Sequence, residues 1–304
     1  MKYKVSIFIL TYNQEKFITQ TLESILSQKV NFDFQLVIGE DFSTDSTRFI
    51  CEKYMKENPS KIKLLPGLNY NIGLIKNYMR TIAECDGQYI AICDGDDYWC
   101  DHLKLQKQVD FLDNNSDFSI VYTNIKLLFK DGSVSDWKRI VNKNDTQYED
   151  LILGNHIPSV SVLFKNKQND NEKLPPWILK YPFGDWPTYL WTLRHGGKIH
   201  YIDEITAVYR IDTGISSEMR KISSNILRIN INILKDIFED NSFYSRKQIT
   251  SAAILNLQKA LVLSYNKEYK YYRGFIQFFE NIKQTDSKYN DLKIYLYSIY
   301  KSFI

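Results

Sequence analysis

Cysteine, proline and glycine are scarce in this sequence: four, seven and 12 residues among 304. Cys51, Cys85, Cys93 and Cys100 show no C-x-x-C spacing, which argues against a zinc site and against a disulfide framework. They read as reduced thiols of a cytoplasmic protein. No apolar run approaches the roughly 18 residues of a membrane-spanning helix. Met1-Lys2-Tyr3-Lys4 leads into only six strand-like residues, too short for a signal-peptide core. Neither G-x-G-x-x-G nor G-x-x-x-x-G-K-[ST] occurs, which argues against a dinucleotide or P-loop site.

What is present is globular composition, 44% hydrophobic and 25% charged, with ample material for a core. Disorder and collagen-like structure are excluded. The length suits one large domain or two smaller ones. Charge is uneven. Residues 216–304 hold 14 Lys/Arg and 8 Asp/Glu, a net of +6, whereas residues 1–215 hold 25 and 28, a net of −3. A basic tail on an acidic body suggests two parts with different partners.

The first half alternates strand and helix. Val5 to Leu10 is almost continuously apolar, as a strand buried on both faces should be. A helix follows over about 15–28, with Ile18, Leu22, Ile25 and Leu26 on one face. Phe34 to Gly39 is a second strand. In the polar loop after it, Ser43 or Thr44 suits the cap of a helix that stops at Asn58-Pro59. Ile62 to Leu65 is a third strand, Gly73 to Cys85 a helix closed by Gly87, and Gln88 to Cys93 a fourth strand. Repeated units of this kind predict a parallel sheet with helices on both faces and ligands at the strands' carboxyl ends. Strands are expected over 118–129 and 159–164, a strand pair over 198–202 and 206–211, and a helix over about 188–195. From Ser216 the sequence is helical. Ile222, Ile226, Ile229, Ile233 and Ile237 mark one face, and Ile249, Ala253, Leu257 and Leu261 another.

Asp94-Gly95-Asp96-Asp97 directly follows the fourth strand. Three carboxylates so close repel one another unless a cation sits among them. Mg²⁺ and Mn²⁺ favour such oxygen ligands, commonly one or two carboxylates plus substrate phosphates. The competing reading is a solvated acidic turn. Asp41 ends the second strand, where a carboxylate can accept from a nucleobase N–H or ribose hydroxyls. Asp45 reads as a helix cap. Lys76 and Asn77 lie on the helix before the acidic strand, and Lys76 either meets a diphosphate or is merely solvated. Asp185 opens a helix and in isolation reads as its cap. Trp177, Phe183, Trp186, Tyr189 and Trp191 suit either a sugar platform or a core. The four histidines show no metal-ligand spacing.

The sequence resembles the inverting glycosyltransferases of family 2, of bacterial surface-polysaccharide type, through about residues 4–212. The resemblance rests on four markers in order. These are Val5–Asn13 with Phe17 and Ser24–Gln28; Val37–Thr47; Asn71-Ile72-Gly73 with Gly87–Trp99; and Phe183-Gly184-Asp185-Trp186 with Tyr209-Arg210. It implies an α/β GT-A fold with a mostly parallel central sheet over 1–215 and a helical region over 216–304. By the same resemblance Thr11, Tyr12 and Asp41 hold nucleobase and ribose, Asp94 binds ribose, Asp96 ligates the metal on the diphosphate, and Asp185 is the catalytic base. Three departures stand out. Glu40 replaces a more usual Asp. Asn77 stands near the place where many members carry an Arg toward the diphosphate. Arg210-Ile211-Asp212 replaces Arg-x-His, which makes Asp212 a second candidate metal ligand.

The reaction so implied is one displacement of a nucleoside diphosphate, UDP foremost, by an acceptor hydroxyl, with inversion and with Mg²⁺ or Mn²⁺ as cofactor. The acceptor is a glycan or a lipid-linked chain. A nucleotidyltransferase would need a Gly-rich basic loop after the first strand, and Thr11-Tyr12-Asn13-Gln14-Glu15 is neither. A non-catalytic nucleotide-sugar-binding module would not need Asp185. Nucleic acid is not an expected partner, because the basic charge is not concentrated in a stripe. The tail's tyrosines and lysines suit peripheral contact with the inner face of a membrane. They also suit a bundle packed on the catalytic domain or on a second subunit, which the isoleucine stripe of residues 222–237 favours.

Overall fold

The computed structural model describes residues 2–170, 172–211, 222–283 and 287–303. Its first half runs β1 (Val5–Thr11), α1 (Ile18–Leu26), β2 (Phe34–Glu40), α2 (Thr47–Glu57), β3 (Ile62–Leu64), α3 (Leu74–Ile82) and β4 (Tyr89–Ile92). These strands pair in parallel in the order β3-β2-β1-β4. β1 and β2 are buried at every position, which is why neither shows polar alternation. Thr11 pairs with Glu40 at the end of β1. Past β4 the chain still follows β1, with Cys93 N donating to Phe8 O at 3.1 Å and Gly95 N to Leu10 O at 2.8 Å. The loops after β1, β2 and β4 therefore emerge side by side.

The chain continues through β5 (Tyr98–Trp99), α4 (Lys104–Asn114), β6 (Phe118–Leu128), β7 (Val134–Asp136), β8 (Asp145–Gln147), α5 (Tyr148–Leu151), β9 (Leu163–Lys165), α6 (Asp185–Thr192) and β10 (Lys198–Arg210). β9 lies antiparallel between β4 and β6, and β6 runs parallel to β10. The result is a mixed α/β sheet, parallel throughout the half that carries the acidic loop. Ile7, Ile9, Leu36, Ile38 and Ala91 of the sheet meet Ile18, Leu22 and Ile25 of α1 and Leu105, Val109 and Leu112 of α4 in one apolar core.

Three local expectations are corrected. Ser159–Ser161 is a 3-10 turn and not strand, because Ser161 closes back on Pro158 O through both N (3.0 Å) and Oγ (2.8 Å). Residues 198–202 and 206–211 are not a pair. They belong to the single strand β10, whose register against β6 slips around Ile205, so that bulges absorb the polar Asp203-Glu204. Gly87 does not cap α3, which ends at Ile82. It is a point of close approach instead, since a Cβ there would lie 2.5 Å from Ser6 N.

The chain divides into two compact units, residues 1–151 with 155–214, and residues 152–154 with 215–304. The second unit contains α7 (Ser223–Glu239), α8 (Lys247–Lys267), α9 (Tyr271–Asn281) and α10 (Lys288–Lys301). Ile231, Ile233, Leu234 and Ile237 are buried on α7, and Ala253, Leu257 and Leu261 on α8. Ile222 precedes α7 and is exposed, so the expected isoleucine face is shorter than the sequence suggests. Val262, Phe278 and Tyr295 form a small cluster among α8, α9 and α10. Among the described residues, no helix is long and apolar enough to cross a membrane.

Candidate functional site

The acidic loop is held from several sides. Gly95 lies so close to the end of β1 that a Cβ there would sit 2.5 Å from Gln14 Oε1 and 2.7 Å from Thr11 Oγ1. Both of those atoms are buried without a hydrogen-bond partner. Thr21 Oγ1, on the buried face of α1, lies 3.0 Å from Gly95 O and 2.6 Å from Asp97 O. Arg210, at the end of β10, donates from its backbone N to Asp97 Oδ1 at 2.8 Å and from its guanidinium to Asp96 O and Gln20 Oε1. Its guanidinium lies over the Phe17 ring at 4.7 Å and the Tyr98 ring at 5.1 Å. Asp96 and Asp97 are buried, and Asp97 Oδ2 has no partner. Burial, with Asp96 and Asp185 as like charges nearby, pushes the Asp94 carboxyl up to about 7. Burial, with Asp96 and Asp94 as like charges, pushes Asp97 well above the carboxylate range.

The loops after β1 and β2 are laced together. Asn13 N donates to Ser43 Oγ, Gln14 N to Thr47 Oγ1 and Glu15 N to Asp45 Oδ2, while Thr44 N donates back to Asn13 Oδ1 and Ser46 N to Glu15 Oε2. Asp45 also accepts from Thr47 N at 2.9 Å at the head of α2, as expected of Asp45, whereas Ser43 and Thr44, the other expected caps, bond Asn13 instead. Thr11 is buried, whereas Tyr12 and Phe42 stand exposed at the loop rim. Asp41 turns inward. Its two carboxylate oxygens accept from Ile72 N at 2.8 Å and Gly73 N at 2.9 Å. Gly73 can present that N–H because its φ of 86° is open to glycine. Burial raises the Asp41 pKa against the lowering effect of those two donors.

Asn77 packs inward. It is buried under β2, donating to Gly39 O at 2.7 Å and accepting from Arg80 Nε at 2.8 Å, so it holds α3 to the sheet. Arg80 in turn donates to Glu40 O. Lys76 is exposed. Asp212 lies outside the described residues.

Asp185 is the first residue of α6, and its Oδ2 accepts from Asn155 Nδ2 at 2.9 Å. The N-cap of α6 is Gly184, so Asp185 stands one residue inside the helix. Tyr78 of α3 supports the turn. A Cβ on Gly184 would lie 2.6 Å from the Tyr78 ring, and Tyr78 Oη donates to Thr188 Oγ1 at 3.0 Å. The same ring meets Phe8 edge-on at 4.8 Å. The aromatic cluster resolves toward core: Trp186, Tyr189 and Trp191 are buried, and Trp186 Nε1 donates to Leu151 O. Only Trp177 and Phe183 remain partly exposed.

Thr21, Tyr78 and Asn155 were not anticipated. Thr21 could have been found, because a hydroxyl at the i+3 position of an apolar face beginning at Ile18 must find an acceptor.

Among the described residues, no group of three or more His, Cys, Asp or Glu side chains is arranged to hold a metal by itself. The donor set at the end of β4 is nonetheless hard oxygen crowded with like charge, and it fits Mg²⁺ or Mn²⁺ completed by a ligand's phosphates.

An α/β sheet of this order, an acidic loop after β4 and a carboxylate at the head of α6 define a transferase of the GT-A fold class. Residues 6–167 match the model of glycosyl transferase family 2, and the chain belongs to that family of glycosyltransferases. An uncharacterized protein of Mycobacterium tuberculosis is 31% identical over 210 residues, 68% of this chain and 58% of that one, so the match spans less than two thirds of the relative. TuaG of Bacillus subtilis, named for teichuronic acid biosynthesis, is 28% identical over 218 residues, 71% of this chain and 83% of that one. The fold is similar to that of Staphylococcus aureus TarS solved with UDP-GlcNAc (TM-score 0.63, 16% identity, 94% of this chain and 91% of that chain). It is also similar to a Pyrobaculum calidifontis mannosyltransferase solved with GDP-Man and Mn²⁺ (TM-score 0.60, 13% identity, 100% and 81%). At these identities the structural likeness speaks to the fold.

Proposed function

We propose that this chain transfers a sugar from a nucleoside-diphosphate donor, UDP-linked in the first instance, to a hydroxyl of a glycan or lipid-linked acceptor, with inversion at the anomeric carbon. The setting is bacterial surface-polysaccharide synthesis, a reading supported by the similarity to TuaG. One observation carries the proposal: Asp185, far along the chain from the Asp94–Asp97 loop, is near enough to it that its charge helps raise the Asp94 pKa. Residues 1–215 form the catalytic part and residues 216–304 a helical part.

In this reading Thr11, with its unpartnered buried hydroxyl, and the exposed Tyr12 ring receive the nucleobase and ribose. Asp41 shapes the same pocket wall by fixing the 71–73 turn. Asp94 accepts from ribose, and Asp96 is the residue that would hold Mg²⁺ or Mn²⁺. A bound divalent ion would supply positive charge against the departing diphosphate oxygen. Asp185, steadied by Asn155, takes the proton from the acceptor hydroxyl as that oxygen attacks the face opposite the diphosphate. A single displacement needs no second nucleophile.

A panel of nucleotide sugars with and without Mn²⁺ tests this, reading released nucleoside diphosphate and the anomeric configuration of the product. Cation-dependent release with an inverted product is expected. A retained configuration, or a chelator-resistant reaction, contradicts the proposed mechanism.

A further inference from the structure

The solvent side of a surface helix is ordinarily polar. Helix α9 departs from this. Tyr272, Phe275, Ile276 and Phe279 occupy positions i, i+3, i+4 and i+7 of one face, and they are 78%, 49%, 42% and 54% exposed. The opposite face, Gly274, Phe278 and Asn281, is the buried one. Lys283 continues the exposed stripe one turn on, with Nζ 5.8 Å from the Phe279 ring centre. Helix α10 repeats the pattern: Tyr289, Leu292, Lys293, Leu296 and Tyr300 share a face and are exposed, while Tyr295 is buried. Arg273, Lys283, Lys288, Lys293 and Lys301 are exposed on or beside these two helices. Asp291 is buried against Lys259 at 2.9 Å and does not offset them.

Beside the α9 stripe opens a cavity of about 360 Å³ whose lining includes Lys235, Phe238, Gln258, Glu280 and Lys283. Gln258 is 7% exposed, and its Oε1 has no hydrogen-bond partner. Two ammonium groups against the one carboxylate of Glu280 leave the lining net positive, and with the buried, unfilled Gln258 acceptor it suits a ligand with a phosphate and a hydroxyl. Lys283 belongs both to this cavity and to the stripe.

We infer that the helical unit docks on an anionic phospholipid surface, with the α9 and α10 stripes in the interface and the Lys235–Lys283 cavity taking a hydroxylated phosphate headgroup. Tyrosine and phenylalanine rings with a lysine rim match the boundary between acyl chains and headgroups. Charge selects the bilayer over a second copy of the chain. Residues 216–304 carry a net +6, and a symmetric dimer through this face would set like charge against like. Each lysine near an anionic surface contributes attraction that falls off within a Debye length.

The test is flotation of the full chain, without donor or metal, on vesicles of phosphatidylglycerol with phosphatidylcholine and on phosphatidylcholine alone. Binding is expected on the anionic vesicles only, with release at high salt. The variant Y272S/F279S removes exposed rings only, so the fold is retained, and its binding should fall at least about tenfold. Lys235→Glu should weaken binding as Lys283→Glu does. Equal binding to neutral vesicles, or wild-type binding by Y272S/F279S, overturns the inference. So does a dimer in sedimentation equilibrium that Y272S/F279S dissociates. The readout is independent of sugar transfer, so its failure and that of the proposed activity are separable.

Discussion

Asn155 and Asp185 are joined by a 2.9 Å hydrogen bond from Nδ2 to Oδ2. A carboxylate at the head of a helix has several rotamers open to it, and this bond selects one. Asn155→Ala should therefore lower kcat by about 10–10² with little change in KM for the donor, because misplacing a base costs turnover before binding. Steady-state kinetics with a varied donor would check this, and a raised KM at unchanged kcat would assign Asn155 to donor binding instead.

Gly184→Ala should destabilise the catalytic half and reduce turnover together. The added Cβ would meet the Tyr78 ring at 2.6 Å, and that ring is buried between Phe8 and the 184–188 turn. Overpacking of this kind costs on the order of 1–3 kcal/mol. Thermal melts would show the loss. Wild-type stability would mean that the turn gives way freely.

Asp94 is held up to about 7, first by burial and then by Asp96 and Asp185. The folded chain keeps this proton while the unfolded chain, with a pKa near 3.8, has already released it. The contribution of Asp94 to stability therefore falls as pH rises from about 4 to about 7 and levels off above that range. A cation that displaces the proton should bind more tightly as pH climbs through about 7. Mn²⁺ titrations across that range should show the trend in wild type and a flatter profile in Asp94→Asn.

In the helical unit, burial alone would raise the Glu268 pKa, but hydrogen bonds from Lys270, Ser224 and Ser264 outweigh it and hold the pKa down to about 2. Glu268 accepts from Ser224 N at 2.9 Å and Ser224 Oγ at 2.6 Å, tying the start of α7 to the end of α8. With the folded pKa below the unfolded one, this stabilisation is present above about 4.5 and is lost as pH falls toward about 2. Acid titration followed by circular dichroism should show a smaller acid-induced loss in Glu268→Gln, which begins less stable at neutral pH. An unchanged acid transition would remove Glu268 from the account.

The parallel core was legible because β1, β2 and β4 are short, apolar and buried on both faces, and because the acidic residues follow one of them directly. Helix α4 was not legible. Its buried face includes the polar Lys104 and Gln108, which interrupt the apolar periodicity: Lys104 lies over the Trp99 ring at 4.3 Å and donates to Gln108 at 2.7 Å. Within the site, Asp94 and Asp96 could be picked out by their position after a strand, and Asp185 only through the family resemblance. Tyr78 and Asn155 could not, because their partners stand 110 and 30 residues away and no local pattern records them. The anchoring bond of Asn77 was not legible for the same reason, since its partner Gly39 lies on a different element.

The most direct test of the central claim is turnover by Asp185→Asn with the donor identified in the nucleotide-sugar panel. Asn accepts through one oxygen as Asp does, but it is not a base at neutral pH. The account predicts an unchanged melting temperature and unchanged nucleotide affinity, with kcat reduced about 10²–10⁴-fold. An Asp185→Asn chain that turns over at the wild-type rate would contradict the assignment of Asp185 as the base.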